Sequence, residues 1–212
     1  MKKLDQGILI ALEGIDGSGK TTLSKDLSAA LKEHGYSVVM TREPGGTELG
    51  KKIREFVQHS TSKPEPKSEF LLFAADRAHH IDTLVRPALQ ECKVVISDRM
   101  SDSSLAYQGY GRGLDISMIE TVNAWAMAGV KPDITIYVKV DLDTALKRMG
   151  QRALLSTFEK EKREFFEQVM RGFEVIFHNR SDVIRVDGTA RPEVVVDQVL
   201  AGLMPLLAQI ER

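Results

Sequence analysis

The residues with the clearest chemistry lie between Gly7 and Thr22, in GILIALEGIDGSGKTT. Gly14, Gly19, Lys20 and Thr21 fit the pattern G-x-x-x-x-G-K-[ST], a spacing suited to polyphosphate. Glycine lets the backbone approach a phosphate with no Cβ in the way. The N–H groups of such a turn converge on an anion, and a helix starting near Lys20 adds the positive end of its dipole. Lys20 can then reach the β- and γ-phosphates, and the Thr21 hydroxyl can ligate the Mg2+ that travels with them. An apolar run before the turn and Leu23, Leu27, Ala30 and Leu31 after it predict the strand and helix that the motif needs. The stretch reads as a nucleotide-phosphate site.

Three further groups carry candidate chemistry. TREPGG places Arg42 and Glu43 before a rigid Pro44-Gly45-Gly46 turn, as a surface ion pair or as part of a site; Arg54 follows as a solvated charge or an anion contact. A long helix containing EFLLFAADRAHHIDTLVRPAL brings Phe73 and Arg77 together, a core ring or a ring for stacking beside a cation; His79 and His80 read as surface residues. The third strand ends in Asp98-Arg99, the place for a magnesium-associated carboxylate beside a phosphate loop and an arginine facing the phosphates, or for a structural ion pair. After it, DSSLAYQGYGRGLD reads as a polar loop whose Ser103, Ser104, Tyr107 and Gln108 suit base recognition, since an amide offers both donor and acceptor.

These residues need a scaffold. Strand-like runs at 8–13, 38–41, 93–97, 134–140 and 182–186 alternate with helical patterns, which predicts an α/β fold with a five-stranded parallel sheet flanked by helices on both faces. Ligands of such sheets sit at the carboxyl ends of the strands, and the groups above follow strands. Segment 60–68 reads as a loop. The helix at 115–127 is expected to turn Ile119, Val122, Trp125 and Ala126 inward. Arg148 and Arg152 flank Gly150, as a short lid or a charged joint. Helices at 158–178 and 192–209 read as packing elements.

Composition bounds the rest. The 212 residues suit one domain, 1–212. Hydrophobic residues make up 42%, charged ones 28%, and the net charge is −1, so bulk charge suggests neither nucleic-acid wrapping nor membrane binding. No apolar stretch approaches the ~20 residues of a spanning helix, and MKKLDQG does not read as a signal peptide. The single Cys92 reads as a small buried residue in a reducing compartment. A cytoplasmic location is expected.

In order and spacing, EGIDGSGKTT, TREPGG, LLFAADRA, SDR, DSSLAYQG with YGRG, and the FFEQV helix resemble the thymidylate kinase family along nearly the whole chain. The resemblance implies a P-loop NTPase fold with a short lid near 148–158. It implies transfer of phosphate from ATP to dTMP, giving dTDP on the way to dTTP, with Mg2+ and a homodimer of helices packed face to face. On matching positions, Gly14, Ile15, Asp16, Gly17, Ser18, Gly19, Lys20, Thr21 and Thr22 would bind ATP, with the loop at Asp187 along the adenine. Asp16 would also hold the sugar 3′-hydroxyl. Glu43, Pro44, Arg54 and Arg99 would surround the sugar and phosphate of dTMP, and Phe73 would stack on thymine. Arg77 and Gln108 would bond the base edge, supported by Ser103 and Ser104, while Tyr107 crowds the 2′ position. Lys20, Asp16, Asp98, Arg99, Arg148 and Arg152 would be catalytic, with Thr21 and Asp98 at the metal. Gly17 in the phosphate loop indicates the bacterial-like type with lid arginines. Where relatives often read RGELDR, this chain reads RALLST from Arg152.

Two other readings follow from the residues. One is a phosphate-loop kinase for a different nucleotide or small acceptor. The other is a nucleotide-dependent switch or binding module, although Asn123 and Asn179 lack the N-K-x-D context of a guanine reader.

Overall fold

The computed structural model describes residues 2–59, 63–151, 158 and 161–212. Five strands form one parallel sheet in the order β2-β3-β1-β4-β5. They are β1 (Ile8–Glu13), β2 (Val38–Arg42), β3 (Val94–Asp98), β4 (Ile134–Lys139) and β5 (Val183–Asp187). β1 lies in the centre, with Ile10 opposite Ile96 on one side and Ile134 on the other. All six of its residues are buried, as expected of a strand covered on both faces.

Alternate residues of β1 face opposite layers. Ile8, Ile10 and Leu12 join Leu23, Leu27 and Leu31 of α1 (Lys20–Glu33) and Val195, Val199, Leu203 and Leu207 of α9 (Pro192–Gln209). Leu9 and Ala11 face the other way, onto Ile81, Val85, Met100 and Met127. The chain leaves β1 for β2 on one side and later passes from β3 to β4 on the other, so the topology reverses between β1 and β3. The crevice at their carboxyl ends is where such sheets bind ligands.

The remaining helices fill in around that crevice. They are α2 (Glu48–His59), α3 (Pro66–His80), α4 (Arg86–Gln90), α5 (Ser101–Ser104), α6 (Ile116–Met127), α7 (Leu142–Gly150) and α8 (Arg163–Phe177). Thr47 caps α2 by accepting from the Gly50 N–H at 3.0 Å. α3 starts at Pro66, inside the segment read as a loop, because proline suits the first helical turn. It continues through a wide π turn (Ile81–Val85) into α4.

Three further expectations change. Residues 101–111 are not a loop: α5 runs into a second π turn, Leu105–Gly111. The acceptor that stabilises its start is Glu13, which takes the Met100 N–H at 2.8 Å and the Ser103 N–H at 3.3 Å. No local pattern reveals an acceptor 87 residues away. Trp125 is 84% exposed rather than inward; α6 instead buries Ile119, Asn123, Ala126 and Met127. Cys92 is only half-buried, in a positive-φ turn before β3. Arg152 and the rest of RALLST lie outside the described residues, so the lid expectation is carried only by Arg148–Gln151 and Phe158.

Candidate active site

The phosphate loop links β1 to α1. Gly14 has φ +142°, and a Cβ there would stand 2.5 Å from the Val138 carbonyl oxygen, so β4 passes at a distance that only glycine permits. Lys20 folds back onto the loop, donating from Nζ to Ile15 O at 2.8 Å and Gly14 O at 3.0 Å. Burial and the nearby Arg99 charge push its ammonium down to about 8. Thr21 Oγ1 donates to Asp98 Oδ2 at 2.7 Å, which joins the start of α1 to the end of β3. Arg148 bridges the loop to the turn after β5, donating to Gly188 O at 2.8 Å and Gly17 O at 3.4 Å.

Arg99 stands at the crossing of the two strand ends. Its Nη1 donates to Gly14 O and Ser103 Oγ, both at 2.9 Å. Its Nη2 donates to Asp16 Oδ1 at 2.9 Å and to the Tyr107 hydroxyl at 3.0 Å. That hydroxyl donates to Asp16 Oδ2 at 2.8 Å and accepts the Asp16 N–H at 3.1 Å. The backbone of Arg99 is left-handed at φ +78°, a strain of about 1–3 kcal/mol that these contacts offset. Burial works against the charge on Asp16, yet Arg99 and Lys20 hold its carboxyl well below the usual range.

Beyond Arg99 lies a cavity lined by both polar and aromatic side chains. Asp16, Glu43, Pro44, Arg54, Phe73, Arg77, Arg99, Ser103, Ser104, Tyr107 and Gln108 all line it; the sequence singled out every one. Glu43 does not pair with Arg42. It is buried against Arg77 Nε at 2.8 Å and His80 Nδ1 at 2.9 Å. Burial would raise its carboxyl, but those two partners lower it overall. His80 is fully buried rather than at the surface, and its Nε2 meets Thr41 Oγ1 at 2.7 Å. Arg77 also donates to Asn123 Oδ1 at 2.6 Å and to Ser104 Oγ at 3.2 Å. Arg54 Nη1 donates to the Pro44 carbonyl at 3.0 Å, after a cis Glu43–Pro44 peptide.

A second cleft holds the phosphate loop. Asp16, Gly17, Ser18, Gly19, Lys20, Thr21, Thr22, Asp98 and Arg148 line it. Gly14 and Ile15 stand behind it: their carbonyls hold Lys20, and the Ile15 side chain is in the core. Asp187 turns away to accept from Thr189 N at 2.8 Å and Oγ1 at 2.7 Å, and Gly188 takes the place on the cleft wall. The two clefts share Asp16, Glu43, Arg54 and Arg99. The cleft of the phosphate loop and the cavity beyond Arg99 therefore meet at two carboxylates and two guanidinium groups. That arrangement suits transfer of a phosphoryl group between two bound molecules.

Several buried polar groups around the site had no assigned role from sequence. Glu13 ends β1 fully buried. Asp76 has Oδ1 3.4 Å from the Gly45 N–H and leaves Oδ2 with no partner among the described residues; burial pushes its carboxyl up to about 6. Glu69 accepts from both Gln108 and Arg112. Helical spacing was the available signal: Glu69, Asp76 and His80 recur with Phe73 and Arg77 at three- and four-residue steps along α3.

Comparison with known proteins gives concordant results. A family model described as Thymidylate kinase matches residues 12–199. The thymidylate kinase of Halothermothrix orenii is 45% identical over 174 residues, covering 77% of this chain and 84% of its own. That of Trichodesmium erythraeum is 38% identical, covering 96% and 97%. Among solved structures, the thymidylate kinase of Ehrlichia chaffeensis is similar with a TM-score of 0.75 and 35% identity, over 93% of this chain and 98% of that one.

Proposed function

This chain belongs to the thymidylate kinase family, and from that membership we propose that it transfers the γ-phosphoryl group of ATP to dTMP, giving ADP and dTDP. The observation that carries the reading is the meeting of the two clefts at Asp16, Glu43, Arg54 and Arg99. ATP enters the cleft of the phosphate loop, and dTMP enters the cavity with its base toward Phe73 and its phosphate toward Arg99 and Arg54. The bond from the γ-phosphorus to ADP breaks as a bond to a dTMP phosphate oxygen forms.

The acceptor oxygen is already anionic, so positioning and charge neutralisation carry the rate rather than a general base. Lys20 is held inside the cleft by loop carbonyls, a pre-set cation for incoming phosphates. Arg99 is fixed by four hydrogen bonds at the boundary, which hold its positive charge where the two clefts meet. Gln108 and Arg77 read the base edge. The Tyr107 phenol, tied to Asp16 and Arg99, stands against the sugar and disfavours a 2′-hydroxyl. Asp16 accepts from the sugar 3′-hydroxyl.

Mg2+ is part of the proposal. Thr21 Oγ1 and Asp98 Oδ2, 2.7 Å apart at the mouth of the loop, are the hard oxygen donors such an ion requires. When bound, the ion would neutralise phosphate charge. Arg148 and Arg152 are proposed as the lid arginines. A cytoplasmic setting, with its ATP and nucleotide pools, belongs to the same reading; among the described residues no helix is long and apolar enough to cross a membrane.

A homodimer is also proposed. Leu49 and Phe56 on α2, Leu71 on α3, and Met118 and Trp125 on α6 are all exposed apolar residues, and α3 packs against both other helices. Such a surface suits a second copy. Trp125→Asp is expected to shift the chain from dimer to monomer in sedimentation; an unchanged mass would place the contact elsewhere.

The test of function is ADP release from ATP and magnesium with dTMP, dUMP, dCMP, dGMP or no acceptor. Release stimulated by dTMP above dCMP and dGMP is expected. Release that favours another acceptor, or that needs none, would refute the proposal.

A further inference from the structure

Gln108 does not have an intrinsic preference for thymine. Its amide is nearly symmetric in shape and opposite in chemistry at its two ends, so a half-turn about the last bond exchanges a donor for an acceptor. Something must choose, and the structure holds a candidate. Gln108 Nε2 donates to Glu69 Oε1 at 2.9 Å, between two side chains that are each 1% exposed. Arg112 donates to the same carboxylate, from Nε to Oε1 and from Nη2 to Oε2, both at 3.3 Å. A guanidinium only donates, so both Glu69 oxygens are committed as acceptors. The end of Gln108 that faces them must be the NH2. Arg112 is itself held, donating to Glu161 at 2.9 Å and lying over the rings of Phe165 and Phe158 at 4.5 and 5.5 Å.

With its nitrogen tied down, Gln108 keeps its carbonyl Oε1 for the cavity it lines, and among the described residues no donor reaches that oxygen. Thymine carries a proton on N3, and cytosine carries a lone pair there. A carbonyl accepts from the first and repels the second.

We propose that Glu69 is a positioning residue that sets the polarity of Gln108, and that it thereby selects a pyrimidine with a protonated N3 over cytosine. The inference rests on the dTMP reading above and deepens it. Arg112 serves as the clamp that keeps Glu69 an acceptor on both oxygens. Uracil has the same N3–H, so the device separates dTMP and dUMP from dCMP and does not separate dTMP from dUMP.

The experiment compares wild type with Glu69→Gln, a nearly isosteric change whose amide can donate or accept and so releases Gln108 to turn over. The readouts are kcat/KM for dTMP and dCMP at saturating ATP, and calorimetric binding of the same two nucleotides. The dTMP:dCMP ratio is expected to fall by about tenfold or more, mainly through KM and binding, with kcat for dTMP largely kept. In a Gln108→Met background the same substitution should leave the ratio within about twofold, because the effect passes through Gln108. A folded Glu69→Gln protein with the wild-type ratio would overturn the proposal. So would an equal loss of discrimination in the Gln108→Met background. If Glu69→Gln alone does not fold, the charge-balanced pair with Arg112→Met is read by the same criteria. Should wild type turn over neither nucleotide, the kinase reading fails, and binding alone judges Glu69: a dTMP preference that the substitution erases supports it, and equal or absent binding overturns it.

Discussion

Replacing Glu13 by Gln should make the fold more stable at alkaline pH. The carboxyl is fully buried at the end of β1, and burial with the Asp102 charge pushes it from its usual 4.5 up to about 7, against the pull of Arg99. The folded chain therefore keeps a proton that the unfolded chain gives up. The stabilisation is complete below about pH 4.5 and is lost as pH rises through about 7. At 1.36 kcal/mol per pH unit, the loss amounts to about 3 kcal/mol. Glutamine mimics the protonated acid. Its oxygen can keep the Met100 and Ser103 N–H groups, and its NH2 can donate to the Ser103 hydroxyl that now donates to Oε2 at 2.5 Å. Urea unfolding of both proteins at pH 5, 6, 7 and 8 reads the difference, in which titrating groups remote from Glu13 cancel. Near pH 5 the two should agree within about 1 kcal/mol. By pH 8 the Gln variant should be ahead by up to about 3 kcal/mol. Parallel curves across that range would refute the assignment of the titration to Glu13.

Other perturbations test the rest of the site. Because Lys20 is pushed down to about 8 in the unliganded cleft, kcat/KM for ATP should decline above that pH while kcat holds, since kcat/KM reports the free enzyme; a flat kcat/KM profile to pH 9.5 would contradict it. Arg77→Met leaves Glu43 as a buried charge short of its main partner and should cost about 3–5 kcal/mol in thermal unfolding. Adding Glu43→Gln should recover part of that loss. Asp98→Asn removes a charged oxygen 2.7 Å from Thr21, so the magnesium concentration for half-maximal turnover should rise about tenfold or more; an unchanged magnesium curve would remove Asp98 from the metal.

The phosphate loop was legible in the sequence because its chemistry is local: strand, glycines, Lys20, Thr21 and helix occupy one continuous stretch. The sheet was legible for a similar reason, since buried parallel strands are continuous apolar runs. Eleven of the cavity residues could be named in advance because the family resemblance assigns them, and the topology brings those positions together. What those residues are bonded to could not be read the same way. Helical spacing says which side chains share a face, and it does not say which polar one will meet a partner from another element. His80 went inside because Glu43 and Thr41 wait there, and Trp125 came out because Asn123 on the same helix turns in to Arg77. Glu13 shaped a polar stretch into a helix from 87 residues away, and Glu69 oriented Gln108 from 39 away. Burial makes each such polar group dependent on one particular partner. The sequence alone determined the scaffold and the addresses of the chemistry, and the tertiary structure decided the hydrogen bonds that orient it.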